Sequence, residues 1–96
     1  MYQRWLSAFH AVARSGGFTA ASKVLNIGQP TVSTHVSALE EHFGVELFHR
    51  RGRRVELTAI GKELLTITEG LLGRESEAVE LLRDMAARWK TMSGRT

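Results

Sequence analysis

Residues 19–40 read TAASKVLNIGQPTVSTHVSALE, and this stretch decides how the chain folds. It divides into two short helices with a tight turn between them. Ala20, Ala21, Val24 and Leu25 make a compact first helix, preceded by Thr19, a good capping residue. Asn26-Ile27-Gly28 breaks the pattern, with Gly28 expected to take the backbone angles that the turn needs. The second helix starts near Gln29-Pro30, because a proline in a first turn lacks an N–H that would have no partner anyway. Val32, Val36, Leu39 and Phe43 follow at spacings of four, three and four, so they form one stripe expected to be buried. Pro30, Thr31, Thr34, His35, Ser37 and Ala38 point the other way, with Ser33 on the flank. That outward face carries no Lys, Arg or large apolar side chain. A helix-turn-helix that reads base edges has this character.

The rest of the composition sets bounds on this reading. A chain of 96 residues has room for one small domain, which buries only roughly 60–65% of its unfolded surface. With 43% hydrophobic and 24% charged residues it is globular rather than disordered. The absence of cysteine excludes a disulfide framework and thiolate metal sites. No signal-peptide pattern and no apolar run near 18 residues is present, so a soluble, cytoplasmic chain is expected, with no membrane partner. The net charge of +3 is unevenly placed: residues 1–62 hold eight Lys and Arg against four Glu, and residues 63–96 hold five against six acids. The positive end is the end with the helix-turn-helix, which suits a polyanion.

Outward from the central stretch, residues 1–15 read as a first helix with Leu6, Phe9, Val12 and Ala13 on one face, ended by Gly16-Gly17. Tyr2 and Trp5 flank that stripe and are expected to pack on a neighbouring helix. Phe18 serves as an apolar staple before Thr19. Beyond Phe43-Gly44 the period changes. Residues 46–49 and 54–57 alternate in part, which predicts a small β-hairpin with Gly52 at its turn, stable only when packed on helices. Five of the seven residues from His49 to Val55 are Arg or His. Alone, that is a solvated basic loop. Directly after a helix-turn-helix, it is a wing whose arginines grip phosphates or enter a narrow minor groove.

A long helix is expected from Thr58, its N-cap, to Lys90, spanning roughly 50 Å. Leu64, Leu71, Ala78 and Met85 recur every seven residues, and Ile60, Ile67 and Leu81 form a second track that Arg74 and Arg88 interrupt. Leu65, Leu72, Val79, Leu82, Ala86 and Trp89 add a parallel band. One small domain cannot cover all of this surface, so an identical partner, parallel or antiparallel, is expected on it. Gly70 and Gly73 mark a close helix crossing or a bend. Catalytic constellations are missing: His10, His35, His42 and His49 have no metal-ligand spacing, and no glycine-rich phosphate cradle follows a strand. An enzyme is therefore not expected, nor a cofactor within this chain.

The residues also carry a family likeness. Phe18-Thr19-x-Ala21, Leu25, Gln29-Pro30-x-Val32-Ser33, Leu39-Glu40-Glu41, Gly44-Val45-x-Leu47-Phe48-x-Arg50 and Leu57-Thr58-x-x-Gly61 occur in order. With them the chain resembles the DNA-binding domain of bacterial LysR-type transcriptional regulators, from Leu6 through the long helix. The resemblance implies a mainly α, winged helix-turn-helix domain over residues 1–57 and a linker helix for dimerisation over 58–90. It also implies that residues 91–96 open a hinge to an effector-binding domain, absent here, which takes a small-molecule effector. Gln29, Pro30, Thr31, Ser33, Thr34 and His35 then occupy base-reading positions on duplex DNA. Thr19, Ser37, Arg50, Arg51, Arg53 and Arg54 occupy backbone and wing positions, and Leu64, Ile67, Leu71, Ala78, Leu81 and Met85 form the homodimer seam, with a tetramer possible in a full-length protein.

The chain departs from the family pattern at Gly28, where serine is usual and the helix cap is weaker by about a few tenths of a kcal/mol without it. Gly17 and Ser22 replace the usual serine and alanine, and His35 stands where glutamine is common. The wing sequence HRRGRRVELT is similar to that of LysR-type regulators tied to phosphonate catabolism. The rival expectation is a helical dimerisation or protein-interaction module without specific DNA readout.

Overall fold

The computed structural model describes residues 2–51 and 54–92. Its elements follow in the order α1 (Tyr2–Ser15), α2 (Phe18–Leu25), α3 (Gln29–Phe43), β1 (Phe48–Arg51), β2 (Arg54–Leu57) and α4 (Ala59–Met92). This is the expected mainly α, winged helix-turn-helix architecture. Three helices pack about Phe9, Val12, Ala21, Val32, Val36 and Leu39, all buried, and the hairpin and the start of α4 close the core from below with Leu47 and Phe48. Among the described residues, no helix is long and apolar enough to cross a membrane.

The turn between α2 and α3 differs from expectation in which residue bends. Gly28 is in ordinary extended conformation at φ −67° and ψ 147°, whereas Asn26 takes the left-handed one at φ 56° and ψ 43°. Asparagine tolerates that region, and its position at the C-cap lets the Asn26 and Ile27 N–H groups return to the Lys23 and Ser22 carbonyls. Thr19 is not the cap of α2. The helix begins two residues earlier, at Phe18, with Gly17 at the N-cap and no side-chain cap, because the Phe18 ring is drawn inward against Phe48, 6.1 Å away. The Thr19 hydroxyl instead donates to Gln29 Oε1 at 3.2 Å, tying the starts of α2 and α3 together.

The first strand starts later than the sequence pattern suggests, at Phe48 rather than Glu46. Glu46 and Leu47 are engaged by helices instead. The Leu47 N–H donates to Glu40 Oε2 on α3 at 2.8 Å, and the Leu47 carbonyl accepts the Thr58 N–H at 3.0 Å. Thr58 is the N-cap of α4, as expected: its Oγ1 donates to the Glu46 carbonyl at 2.6 Å and accepts the Gly61 N–H at 3.0 Å. Gly61 has to be glycine here, since a Cβ would overlap the Leu47 carbonyl oxygen. The strands pair antiparallel with Phe48 opposite Leu57 and Arg51 opposite Arg54. The expected turn residue, Gly52, lies outside the described residues.

The expected burial of Phe43 needs correction, and Val24 and Leu64 take distinct positions of their own. Phe43 is 58% exposed rather than buried, because α3 ends at Gly44 after overrunning the core; its ring joins a surface cluster with Tyr2 at 5.9 Å and His42 at 4.8 Å. Val24 is 69% exposed, since Ala21 and Leu25 already supply the inward stripe of α2. Leu64, placed in the dimer seam, packs in part against the chain's own core together with Leu65. Beyond Leu72, Arg74 and residues 77–91 of α4 are all exposed. The helix runs unbroken through Gly70 and Gly73, and a Cβ on Gly70 would meet nothing, so no close crossing occurs at Gly70 within one chain.

The joint between α1 and α4 is polar at its centre. Thr68 is fully buried, and its hydroxyl donates to the Leu65 carbonyl at 3.1 Å. The same Oγ1 lies 2.9 Å from His10 Nδ1 and shares a hydrogen bond with it, whose donor is set by the histidine tautomer. Burial depresses the His10 pKa below 6.5, and the positive charge of Arg14 adds to this, while Glu69 partly opposes it. A depressed histidine pKa means that the folded state disfavours the charged ring. The joint is thus intact above the ordinary histidine value and weakens as pH falls through the lower folded value. The thermal unfolding midpoint should fall as the pH drops below the ordinary histidine value of 6.5. His10→Asn, which keeps a donor near Nδ1 and cannot titrate, should flatten that fall; equal slopes would place the sensitivity elsewhere.

Candidate nucleic-acid interface

The exposed side of α3 is built by the same periodicity that buries the other. Val32, Val36 and Leu39 point into the core, so Gln29, Pro30, Thr31 and Thr34 are left exposed along the first turns. Proline in the first turn leaves the helix N-terminus open, and Gly28 offers no side-chain cap. The Thr34 hydroxyl donates to the Pro30 carbonyl at 2.8 Å, so outward it presents lone pairs and a methyl group. Ser33, Ser37 and Ala38 are half-buried, on the shoulders of this face. His35 is half-buried too, and lines a groove with Gln3, Arg4 and Ser7 of α1. The polar surface of α3 is therefore narrower than a helical wheel implies, and centred on Gln29, Thr31 and Thr34.

The hairpin divides its arginines between two faces. Side chains alternate along a strand, so Phe48 and Arg50 share one face with Val55 and Leu57, and His49 and Arg51 share the other with Arg54 and Glu56. The first face is turned toward the core, with Phe48 buried and Val55 and Leu57 half-buried. Arg50 leaves it by placing its guanidinium over the Phe18 ring, 4.9 Å from the centroid. On the outer face Arg51 stands directly opposite Arg54, and both are exposed. Among the described residues, none of these three arginines has a carboxylate within salt-bridge distance. Arg53 lies outside the described residues. Sequence reasoning missed two links that the fold makes: Phe18 with Arg50, and Thr19 with Gln29. No local pattern joins residues 32 positions apart, and a staple reading of Phe18 accounts for its burial without Arg50.

On α4, Ile67, Leu71, Ala78, Leu81 and Met85 are all exposed, with Leu71 and Leu81 at 62%. Leu64 and Ile60 line one wall of an apolar groove of about 550 Å³, whose other walls include Tyr2, Leu6 and Phe43. The seam expected from the heptads is thus continuous with an open hydrophobic groove at the base of the helix-turn-helix. Among the described residues, no cluster of three or more His, Asp or Glu is placed to hold a metal.

Comparison with known proteins agrees with this geometry. Residues 3–62 match the family described as bacterial regulatory helix-turn-helix protein, lysR family. The chain is 39% identical over 82 residues to the uncharacterized HTH-type transcriptional regulator YbhD of Escherichia coli K12, covering 85% of this chain and 26% of that protein. It is 45% identical over 69 residues to the HTH-type transcriptional regulator TfdT of Cupriavidus pinatubonensis, covering 72% of this chain and 30% of that one. The chain therefore spans under a third of the length of these relatives. A crystal structure of the BenM DBD in complex with benA site 1 DNA superposes with a TM-score of 0.72 at 32% identity, over 88% of this chain and 99% of that one. Motif order, architecture and the match over residues 3–62 converge: the chain belongs to the lysR family of bacterial regulatory helix-turn-helix proteins.

Proposed function

We propose that this chain binds duplex DNA sequence-specifically, as the non-enzymatic reading head of a longer transcriptional regulator. The observation that carries this is the pairing of an exposed polar helix face with a hairpin whose described arginines, Arg50, Arg51 and Arg54, have no carboxylate within ion-pair distance. Arg51 directly opposite Arg54 is unfavourable in isolation, because like charges facing across two strands repel. A phosphate between or beside them removes that repulsion. Affinity then comes mainly from Arg50, Arg51, Arg53 and Arg54, with Thr19 and Ser37 as lesser backbone contacts, through release of condensed counterions. Specificity comes from Gln29, Pro30, Thr31, Ser33, Thr34 and His35 at base edges in the major groove. Relatives named as transcriptional regulators, and a structural neighbour whose title names a DNA complex, support the reading.

The active form is a homodimer joined through α4, which places two recognition helices about one helical turn of DNA apart or somewhat more. Residues 1–57 serve as the DNA-binding domain, 58–90 as the linker helix, and 91–96 as the start of a hinge. A small-molecule effector would act on a further domain outside this chain, where higher assembly to a tetramer would also be decided.

Three measurements test the proposal. Replacing Arg51 and Arg54 together by alanine should weaken binding to cognate and random duplex by similar factors. It should also lower the salt dependence by about one unit of slope per lost phosphate contact. An unchanged slope would show that the hairpin does not touch DNA. Thr34→Ala should cost about 1–3 kcal/mol on the cognate site selected from a random pool, and spare random duplex; equal losses on both would make Thr34 a mere positioning contact. Leu71→Arg should produce a monomer in sedimentation, because two guanidinium groups in an apolar seam lack partners. That monomer should retain its helix content and bind a half-site weakly. A variant that stays dimeric would move the seam to the Leu72/Val79/Leu82 band.

A further inference from the structure

Arg50 differs from the other described arginines of the hairpin. Arg51 and Arg54 extend into solvent from the outer face, whereas Arg50 starts from the face that closes the core. A charge cannot be buried there among Phe48, Val55 and Leu57, and the side chain resolves the conflict by emerging over Phe18. The ring beneath it is itself held in place. Phe18 stands edge-on to Phe48 at 6.1 Å, and Phe48 lies 5.3 Å from Phe9, which is fully buried. A continuous row of three aromatic rings thus runs from the centre of the core to one guanidinium at the surface.

We propose that Phe18 is a positioning residue for DNA binding: the negative face of its ring holds the Arg50 guanidinium where it meets a backbone phosphate. The proposal rests on the reading of Arg50 as a phosphate contact. A cation held over a ring face engages the quadrupole of the ring and consumes none of the N–H donors of the guanidinium. All five remain available for the bidentate geometry that arginine offers a phosphate. Among the described residues no carboxylate lies within ion-pair distance of Arg50, although Glu40 and Glu46 line the same groove, and the Phe18 ring is the contact that its guanidinium makes. Without the ring, a long and exposed side chain on a short strand samples many rotamers, and each phosphate contact has to select one of them. The aromatic row also couples the wing to α2, since Phe18 is the first residue of that helix.

Size and electrostatics of the ring can be separated by experiment. Binding of the whole chain to a random-sequence duplex is followed at several salt concentrations for three changes: Phe18→Trp, Phe18→Leu, and trifluorination of the Phe18 ring, which keeps its shape and removes its negative face. Each is measured alone and combined with Arg50→Ala, with thermal unfolding alongside. Trp should retain affinity. The fluorinated ring should melt like the parent and bind about two- to fivefold more weakly, as should Leu. In the Arg50→Ala background neither change should matter further. Equal losses with and without Arg50 would reduce Phe18 to a structural plug and overturn the proposal, as would full affinity with the fluorinated ring. If Arg50→Ala alone leaves affinity and salt slope unchanged, the phosphate contact itself is wrong, and the positioning role falls with it.

Discussion

The side of the molecule that carries the hairpin and the polar face of α3 depends on how the chain is clamped at Thr58. One hydroxyl there donates to the Glu46 carbonyl and accepts the Gly61 N–H, while the Thr58 backbone N–H holds the Leu47 carbonyl. Leu47 is in turn fixed to α3 through Glu40. Four polar contacts therefore set the entry of the hairpin, its exit and the start of α4 relative to α3. The clamp is tight enough that Gly61 admits no side chain. Hydrogen bonds of this kind contribute only about 1 kcal/mol each, but a buried group left unpaired costs more than that. Their importance is geometric: they fix where the arginines stand with respect to Thr31 and Thr34.

The two charged regions of the molecule illustrate opposite uses of electrostatics. Arg14 and Glu69 form an ion pair at 3.3 Å between α1 and α4, with both side chains well exposed. Such a pair contributes at most about 1 kcal/mol. What holds those helices together is the part-buried Thr68–His10 contact and the packing of Leu64 and Leu65 on the core. The hairpin, by contrast, concentrates positive charge, and its described arginines form no ion pair among the described residues. That arrangement weakens the isolated wing slightly and favours any state in which an anion lies against it.

Much of this was legible in the sequence, for a physical reason. Val32, Val36 and Leu39 lie on a strict helical period, and Pro30 and Thr58 are boundary residues whose preferences are local, so the α3 core face and the start of α4 could be read directly. The errors fall where tertiary contacts override local preference. Phe43 continues the apolar period but lies past the end of the core. Thr19 is a better cap than Gly17, yet the packing of Phe18 on Phe48 moves the helix start. Asn26 rather than Gly28 bends the turn, a choice settled by which residue stands at the C-cap. For the candidate site, the exposed Thr31 and Thr34 could be anticipated from the wheel. The half-burial of His35 beside α1, and the contact of Arg50 with Phe18, arise only from packing between distant segments.

The long helix has a mechanical consequence. Its anchorage to the head ends near Thr68 and Leu72, yet it continues to Met92. From Thr68 the free arm is about 36 Å long at the rise of an α-helix. A tilt of only about 10° at the anchorage displaces the far end by about 6 Å relative to the head, close to two base-pair steps of duplex DNA. Small angular changes at a joint that one buried threonine and one histidine hold together are thus amplified into displacements of several ångströms at the far end of the arm.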